Sequence, residues 1–150
     1  MLRLSKKADY ALMAVRHLAL QAGPSSASAR EIAEQYDIPI ELMAKVLQRL
    51  VRAGLLVSTQ GTRGGYTLSR PAVTISVADV IQAIDGPFTV TACSTEKNDC
   101  EQYSKCSIRD PLWQIRERIA ETLGTVTMAE MAASNDTAHA PVAHAAVIRR

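Results

Sequence analysis

Cys93, Cys100 and Cys106 are the only cysteines in the 150-residue chain, and they fall inside one polar stretch, CSTEKNDCEQYSKC. Six and then five residues separate them, drawn from Ser, Thr, Glu, Lys, Asn, Asp, Gln and Tyr. Cysteine used as packing normally sits in an apolar run, so thiols in this setting read as ligands or as redox-active groups. An odd number of them, in a chain expected to be cytosolic, argues against a disulfide framework.

The remaining sequence has to position that segment. An apolar fraction of 47% supports one ordinary domain with a real core. No run of eighteen apolar residues appears, and MLRLSKKADY has neither the unbroken apolar stretch nor the cleavage site of a signal peptide. A cytoplasmic chain without membrane contact is therefore expected. The net charge of +2 is divided unevenly. Residues 1–70 carry ten Lys or Arg against five Asp or Glu, and residues 71–150 carry seven against ten. A basic first half points to a polyanion, although such a balance also occurs on solvated surfaces.

Within that half, Ser5 can cap a helix over 6–21 that ends before Gly23-Pro24, burying Tyr10, Ala11, Ala14, Val15, Leu18 and Ala19. Arg3, Lys6 and Lys7 crowd its start, where cations oppose the helix dipole, so phosphate contact is one reading and a solvated basic end the other. Ser28-x-x-Glu31 has the form of a capping box for a short helix to about Tyr36. Asp37-Ile38-Pro39 makes a turn. A helix over 40–53, stopped by Gly54, then buries Leu42, Val46 and Leu50 flanked by Met43 and Leu47, and leaves Glu41, Ala44, Lys45, Gln48, Arg49 and Arg52 outside.

Two packed helices with a charged face are common, but this pair is followed by LLVST, QGTRGG and YTLS, two strands around a glycine-rich tip. Helix, turn, helix and hairpin together form a winged helix-turn-helix. The expected fold is mainly α with a small β-wing, a DNA-binding domain carrying a long dimerisation helix. Lys45, Gln48 and Arg49 are the candidates for base edges, since Gln pairs with adenine and Arg or Lys with guanine. An intrahelical ion pair is the competing role for Arg49. Gln60 and Arg63 are the wing candidates, Arg63 suiting a narrow minor groove. Lys6 and Arg30 complete the DNA-binding set.

Further on, Ser76 can cap a helix ending at Gly86 with Val77, Val80, Ile81 and Ile84 buried. After the cysteines, Asp110 can cap and Pro111 can start a helix to about Leu123, ended by Gly124. Ile108, Leu112, Ile115, Ile119 and Thr122 step by four and three along it, a coiled-coil-like seam with Arg116, Glu117, Arg118 and Glu121 outside. Dimerisation is the expected use of the seam; packing on its own domain is the alternative, weaker because few apolar faces remain to cover it. Thr127-x-x-Glu130 caps a last short helix to about Ala133. The expected organisation is a regulator over 1–133, divided into a DNA-binding part (1–74), a connecting helix (75–91), a cysteine loop (92–107) and a dimerisation helix with a short end helix (108–133). Residues 134–150, which include His139 and His144, read as a disordered tail.

The motifs KKADYALMAVRHLAL, the RGGY tip, ISVADVIQAIDG and the three cysteines before an amphipathic helix resemble the Rrf-two family of bacterial transcription regulators over about residues 1–133. Within it, GPFTVTA followed by CSTEKNDC-x5-C resembles regulators of iron–sulfur assembly, with the nitric-oxide-sensing branch close by. The resemblance implies a homodimer on near-palindromic double-stranded promoter DNA and an iron–sulfur cluster of two-iron or four-iron type on Cys93, Cys100 and Cys106. Assembly regulators place a histidine three residues past the last cysteine; Arg109 stands there and stays protonated. Asp9 matches the position from which nitric-oxide-sensing members supply a carboxylate, while Glu96, Asp99 and Glu101 lie near the thiols. Structural zinc sites usually contain a close cysteine pair, which these gaps lack.

The functional expectation is a transcription regulator that senses cluster status and controls assembly genes. The alternatives are a cluster-free winged-helix repressor controlled by thiol oxidation or a protein partner, and a nitric-oxide-sensing repressor. An enzyme is not expected, because no catalytic constellation of His, Ser and carboxylate appears.

Overall fold

The computed structural model describes residues 3–21, 25–91 and 100–134. Helix α1 (Lys6–Leu20) is the scaffold: it packs against α3 (Ile40–Arg52), α4 (Val77–Asp85) and α6 (Met128–Ala133). The Ser5 hydroxyl accepts from the Ala8 amide and so satisfies one of the unpaired donors of the first turn. The buried face of α1 is Ala8, Ala11, Ala14, Val15 and Leu18, and its three alanines let neighbouring helices approach the axis closely. Tyr10 and Ala19, expected inside, are only partly buried. They flank the stripe rather than centre it.

Helix α2 (Ala29–Gln35) opens on the expected capping box, with Ser28 and Glu31 each bonded to the other's backbone amide. Asp37 turns the chain at a φ of 51°, a left-handed conformation that Asp tolerates better than bulkier residues, and the Ile38 amide donates back to Ala33. The buried stripe of α3 is Met43, Val46, Leu47 and Leu50; Leu42 is displaced from the expected stripe to the margin, half-buried. At its C-terminus Gly54, at a φ of 77°, lets its own amide donate to Val51 and that of Leu55 to Leu50. That is the paired closure in which a glycine ends a helix, and it sends the chain straight into β1 (Leu56–Thr59).

Strand β1 pairs antiparallel with β2 (Gly65–Leu68) in the register Leu56 to Leu68 and Thr59 to Gly65. A bridge between Ala27 and Tyr66 fastens this hairpin to the segment before α2, the two residues exchanging both amide bonds at 3.2 and 2.8 Å. Helix α4 has the expected Ser76 cap, here a full capping box with Asp79, and buries Val77, Val80, Ile81 and Ile84. Gly86 ends it at a φ of 79°.

Helix α5 (Arg109–Thr125) corrects the expectation at both ends. It starts after Ile108, whose side chain makes no capping bond, and Asp110 lies inside the first turn with its carboxylate on Arg109 Nε at 2.7 Å. Gly124 does not stop it. Helical bonding continues to Val126, whose amide donates to Thr122, because Val126 must then accept from Val77 while Met128 donates to Ile75. That tie sets where the turn into α6 falls. The Thr127–Glu130 capping box of α6 is as expected, and Met128 is fully buried.

Candidate nucleic-acid interface and cysteine segment

The outer face of α3 carries Glu41, Lys45, Gln48, Arg49 and Arg52, all exposed. Beside it runs a groove lined by Lys7, Leu42, Lys45, Val46, Gln48, Arg49 and Arg52. Four cations and one amide surround two aliphatic side chains, with no carboxylate in the lining. This is a surface for a polyanion that also presents a base-reading group. Leu42 explains itself here, since it forms part of the floor. Lys7 and Arg52 belong to this surface as fully as the residues singled out by sequence. Their signal was their charge alone.

Arg49 is not free on this face. Its Nη1 donates to the Ile84 carbonyl at 2.9 Å, across the junction of α3 with the end of α4. The expected alternative of an intrahelical ion pair is not the contact it makes. No sequence pattern announces a bond between residues thirty-five apart.

The wing is fixed at its base and at its tip. The Ser26 hydroxyl donates to the Arg63 carbonyl at 3.0 Å, and the Gly64 amide donates to Gly61 at 3.0 Å. A Cβ on Gly64 would meet the Thr59 carbonyl at 2.5 Å, and one on Gly65 would meet the Ala27 carbonyl at 2.7 Å. Both glycines are therefore required by close backbone approach. Gln60 and Arg63 are exposed at the tip. Of the two outlying candidates, Lys6 holds its ammonium 5.8 Å from the Tyr10 ring centroid, and Arg30 sits 3.7 Å from Glu34 in an open, solvent-screened pair.

Cys100 and Cys106 are free, half-buried thiols that flank a short 3-10 turn, Tyr103–Lys105, with Cys106 at its C-terminal cap and Cys100 three residues before it. The Tyr103 amide donates to Cys100 and the Lys105 amide to Gln102. Cys93, Glu96 and Asp99 lie outside the described residues, as does the tail from 135 onward, so the expectations made for them are not placed. Asp9 is half-buried in the first turn of α1. Among the described residues no group of three or more His, Cys, Asp or Glu is gathered for a metal.

Arg109 is held as a cation. Its Nε donates to Asp110, its Nη1 to the Tyr103 carbonyl at 3.3 Å, and its guanidinium stacks 4.7 Å from the Tyr103 ring centroid. The Asp110 carboxylate raises the Arg109 pKa above its already high range, and Arg109 in return holds the Asp110 carboxyl below its ordinary value. A guanidinium so placed donates and does not ligate.

Along α5 the expected seam is open. Ile108 is 61% and Ile115 45% exposed, with Leu112 and Ile119 half-buried. Trp113 adds a further exposed aromatic face at 41%, and the Arg116 guanidinium lies 5.4 Å from its ring centroid. Only the C-terminal end of α5, through Leu123, packs against the core. Among the described residues no helix is long and apolar enough to cross a membrane.

Comparison with known proteins matches residues 4–134 to the model of the Rrf2 family, described as iron-dependent transcriptional regulators. The chain belongs to the Rrf2 family. It is similar to the HTH-type transcriptional regulator IscR of Vibrio vulnificus, 32% identical over 90% of this chain and 80% of the relative. Among solved structures it is similar to CymR, the global cysteine regulator of B. subtilis, with a TM-score of 0.75 and 28% identity over 91% of this chain and all of that one. The T. potens IscR structure matches with a TM-score of 0.67 and 27% identity, over 87% and 85% of the two chains. This Rrf2 member is thus a transcriptional regulator with the expected mainly helical winged-helix fold, and the groove along α3 is its candidate DNA-reading face.

Proposed function

We propose that this Rrf2 protein is a homodimeric, DNA-binding regulator of iron–sulfur assembly genes whose reading of DNA depends on an iron–sulfur cluster. Cys93, Cys100 and Cys106 would hold the cluster, and Asp9 would supply the fourth ligand. The observation that carries the reading is the pair of free, half-buried thiols, Cys100 and Cys106, separated by two successive hydrogen-bonded turns in a polar segment. The donor set fits: thiolates are the preferred ligands of such clusters, and one oxygen donor in place of a fourth thiolate leaves the iron more open to loss or attack. When bound, the cluster supplies a charge and a set of bonds that respond to iron, oxidants or nitric oxide. Arg109 stays outside the ligand set and holds the turn through Tyr103.

Lys45 and Gln48 read base edges in the major groove, Arg63 and Gln60 enter or flank the minor groove, and Lys6, Lys7 and Arg30 contact phosphates. The dimer forms through Ile108, Leu112, Ile115 and Ile119, so the site is near-palindromic. The test begins with protein purified without oxygen. Its visible absorbance and Mössbauer spectrum should report an iron–sulfur cluster, absent from Cys93→Ala, Cys100→Ala and Cys106→Ala. Asp9→Ala should bind a cluster that decays faster in air. A colourless, iron-free protein that still binds DNA with a steep salt dependence overturns the cluster while leaving the reader intact.

The likeness to a cysteine regulator favours one second reading, in which the same thiols respond by oxidation without a metal. Mass spectrometry of the iron-free protein after mild peroxide treatment separates the two: a disulfide that alters DNA affinity supports the second.

A further inference from the structure

The end of α4 and the three residues after it accept hydrogen bonds from α3, from the N-cap of α1 and from α5. Ile84 accepts from Arg49 of α3, Asp85 accepts from the Ser5 amide at 3.2 Å and hydroxyl at 2.6 Å, and Phe88 accepts from Arg116 Nε of α5 at 3.0 Å. Each contact has a local cause. The Ile84 carbonyl is among the last four of its helix and has no partner within it, and a guanidinium at that end also complements the helix dipole. Asp85 reaches the cap of α1, beside Lys6 and Lys7. Five residues past Phe88 the chain arrives at Cys93. The DNA-facing ends of α1 and α3 are therefore both fastened to the stretch of chain that enters the cysteine segment.

We infer that Arg49 is a positioning residue: through the Ile84 carbonyl it sets how α3 sits on the end of α4, and it carries displacement of residues 84–88 to the reading face. Base reading then falls to Lys45 and Gln48, which make no such tie. With Nη1 docked on a carbonyl of its own chain, the guanidinium is held at the junction of α3 and α4, and turning both terminal nitrogens onto a guanine edge would break that bond and leave a helix-terminal acceptor unpaired. The positional half of the inference stands on the DNA-reading assignment alone. The regulatory half rests on the proposed cluster.

The experiment compares wild type, Arg49→Met and Arg49→Lys on a duplex selected by the wild-type dimer from a random pool, and on variants of it changed at one base pair each. Arg49→Met keeps the aliphatic stem and removes the donors. It should weaken binding to every duplex by a common factor of about tenfold, with the ranking of the panel kept, as expected for one charge-assisted bond. Arg49→Lys should recover most of the affinity. Loss of preference confined to one base pair overturns the inference, because that is the signature of a base reader. Without DNA, amide exchange at Asp85 and Gly86 should quicken in Arg49→Met; unchanged exchange also overturns it. Arg49→Ala, which likewise has no donor, supplies the same readouts if the Met variant does not fold. Finally, the ratio of affinities before and after loading with iron and sulfide should fall toward one in Arg49→Met. A wild type indifferent to loading defeats the cluster reading and with it the regulatory half, leaving the positional half to the ranking and the exchange rates.

Discussion

Helices α3 and α5 are both amphipathic in sequence, and the fold treats them differently. The thirteen residues of α3 bury Met43, Val46, Leu47 and Leu50 in the core, whereas none of the seventeen residues of α5 is buried. The reader is completed by its own chain, through α1, α2 and α4. The seam helix joins the core through Leu123 at its far end, is tied at mid-length by Arg116 to the Phe88 carbonyl, and presents an unfinished apolar stripe. Amphipathic spacing thus tells which face of a helix is to be covered, and leaves open whether the cover comes from the same chain.

The sharpest way to break this comparison is to cut both stripes. Leu47→Ala removes a fully buried side chain from the reader and should cost about 2–5 kcal/mol of stability, read from urea or thermal unfolding. Ile115→Ala removes a side chain that is largely exposed in one chain and should cost under about 1 kcal/mol when unfolding is measured on dilute protomer. Equal losses would mean that α5 is packed within its own chain.

A more selective cut acts between chains. Ile108→Glu with Ile115→Glu should leave the far-ultraviolet dichroism in place but reduce the mass in sedimentation equilibrium to one protomer. Affinity for a two-fold DNA site should then drop by about two orders of magnitude, because the second half-site is no longer tethered to the first. A double variant that sediments as the wild type does would remove the seam from the dimer model.

Within the reader, the wing offers a smaller test. Gly65→Ala places a methyl group against the Ala27 carbonyl, which is main chain and cannot swing aside. The strain should cost about 1–3 kcal/mol and loosen the hairpin from the segment before α2, lowering DNA affinity more than base preference. Gly61→Ala is a poorer probe of the same idea. Nothing lies near its added carbon, yet its φ of 113° strains any side chain there.

How far the sequence carried these assignments follows from the range of each interaction. Capping boxes at Ser28 and Thr127, the Ser5 cap, the glycine stop after α3 and the buried stripe of α4 are local patterns, and all of them stand in the structure. One failure came where a distant contact decided, since Gly124 stays helical because Val126 has to meet Val77; the other was a choice between two local partners, Asp110 forgoing the cap position for the adjacent Arg109. In the candidate site, Lys45, Gln48 and the RGGY tip were legible from charge and turn chemistry. The tie from Arg49 to Ile84 and the two hydrogen bonds from Ser5 to Asp85 join residues far apart in sequence, and no spacing foretells them.

The smallest expected effect is a pH dependence divided between the two regions. Hydrogen bonds from Ser28, first its backbone amide and then its side chain, hold the Glu31 carboxyl below the ordinary 4.5; Thr127 does the same for Glu130. A carboxyl whose folded pKa lies below its unfolded one contributes stability that is complete above the unfolded value and is lost as pH falls through the folded one. Both boxes should therefore be intact at neutral pH and weaken below about pH 4.5. Glu31→Gln and Glu130→Gln keep an acceptor at each cap but remove the titration, so each should flatten the fall of melting temperature between about pH 5 and pH 3. Asp110→Asn serves as the third arm, because Asp110 is also held low, by Arg109, on the helix that the core does not bury. All three groups are solvent-exposed, so each change in slope should be small and should shrink further in added salt for Asp110, whose shift comes from an ion pair. Slopes identical to wild type in both cap variants would show that neither box contributes through its charge.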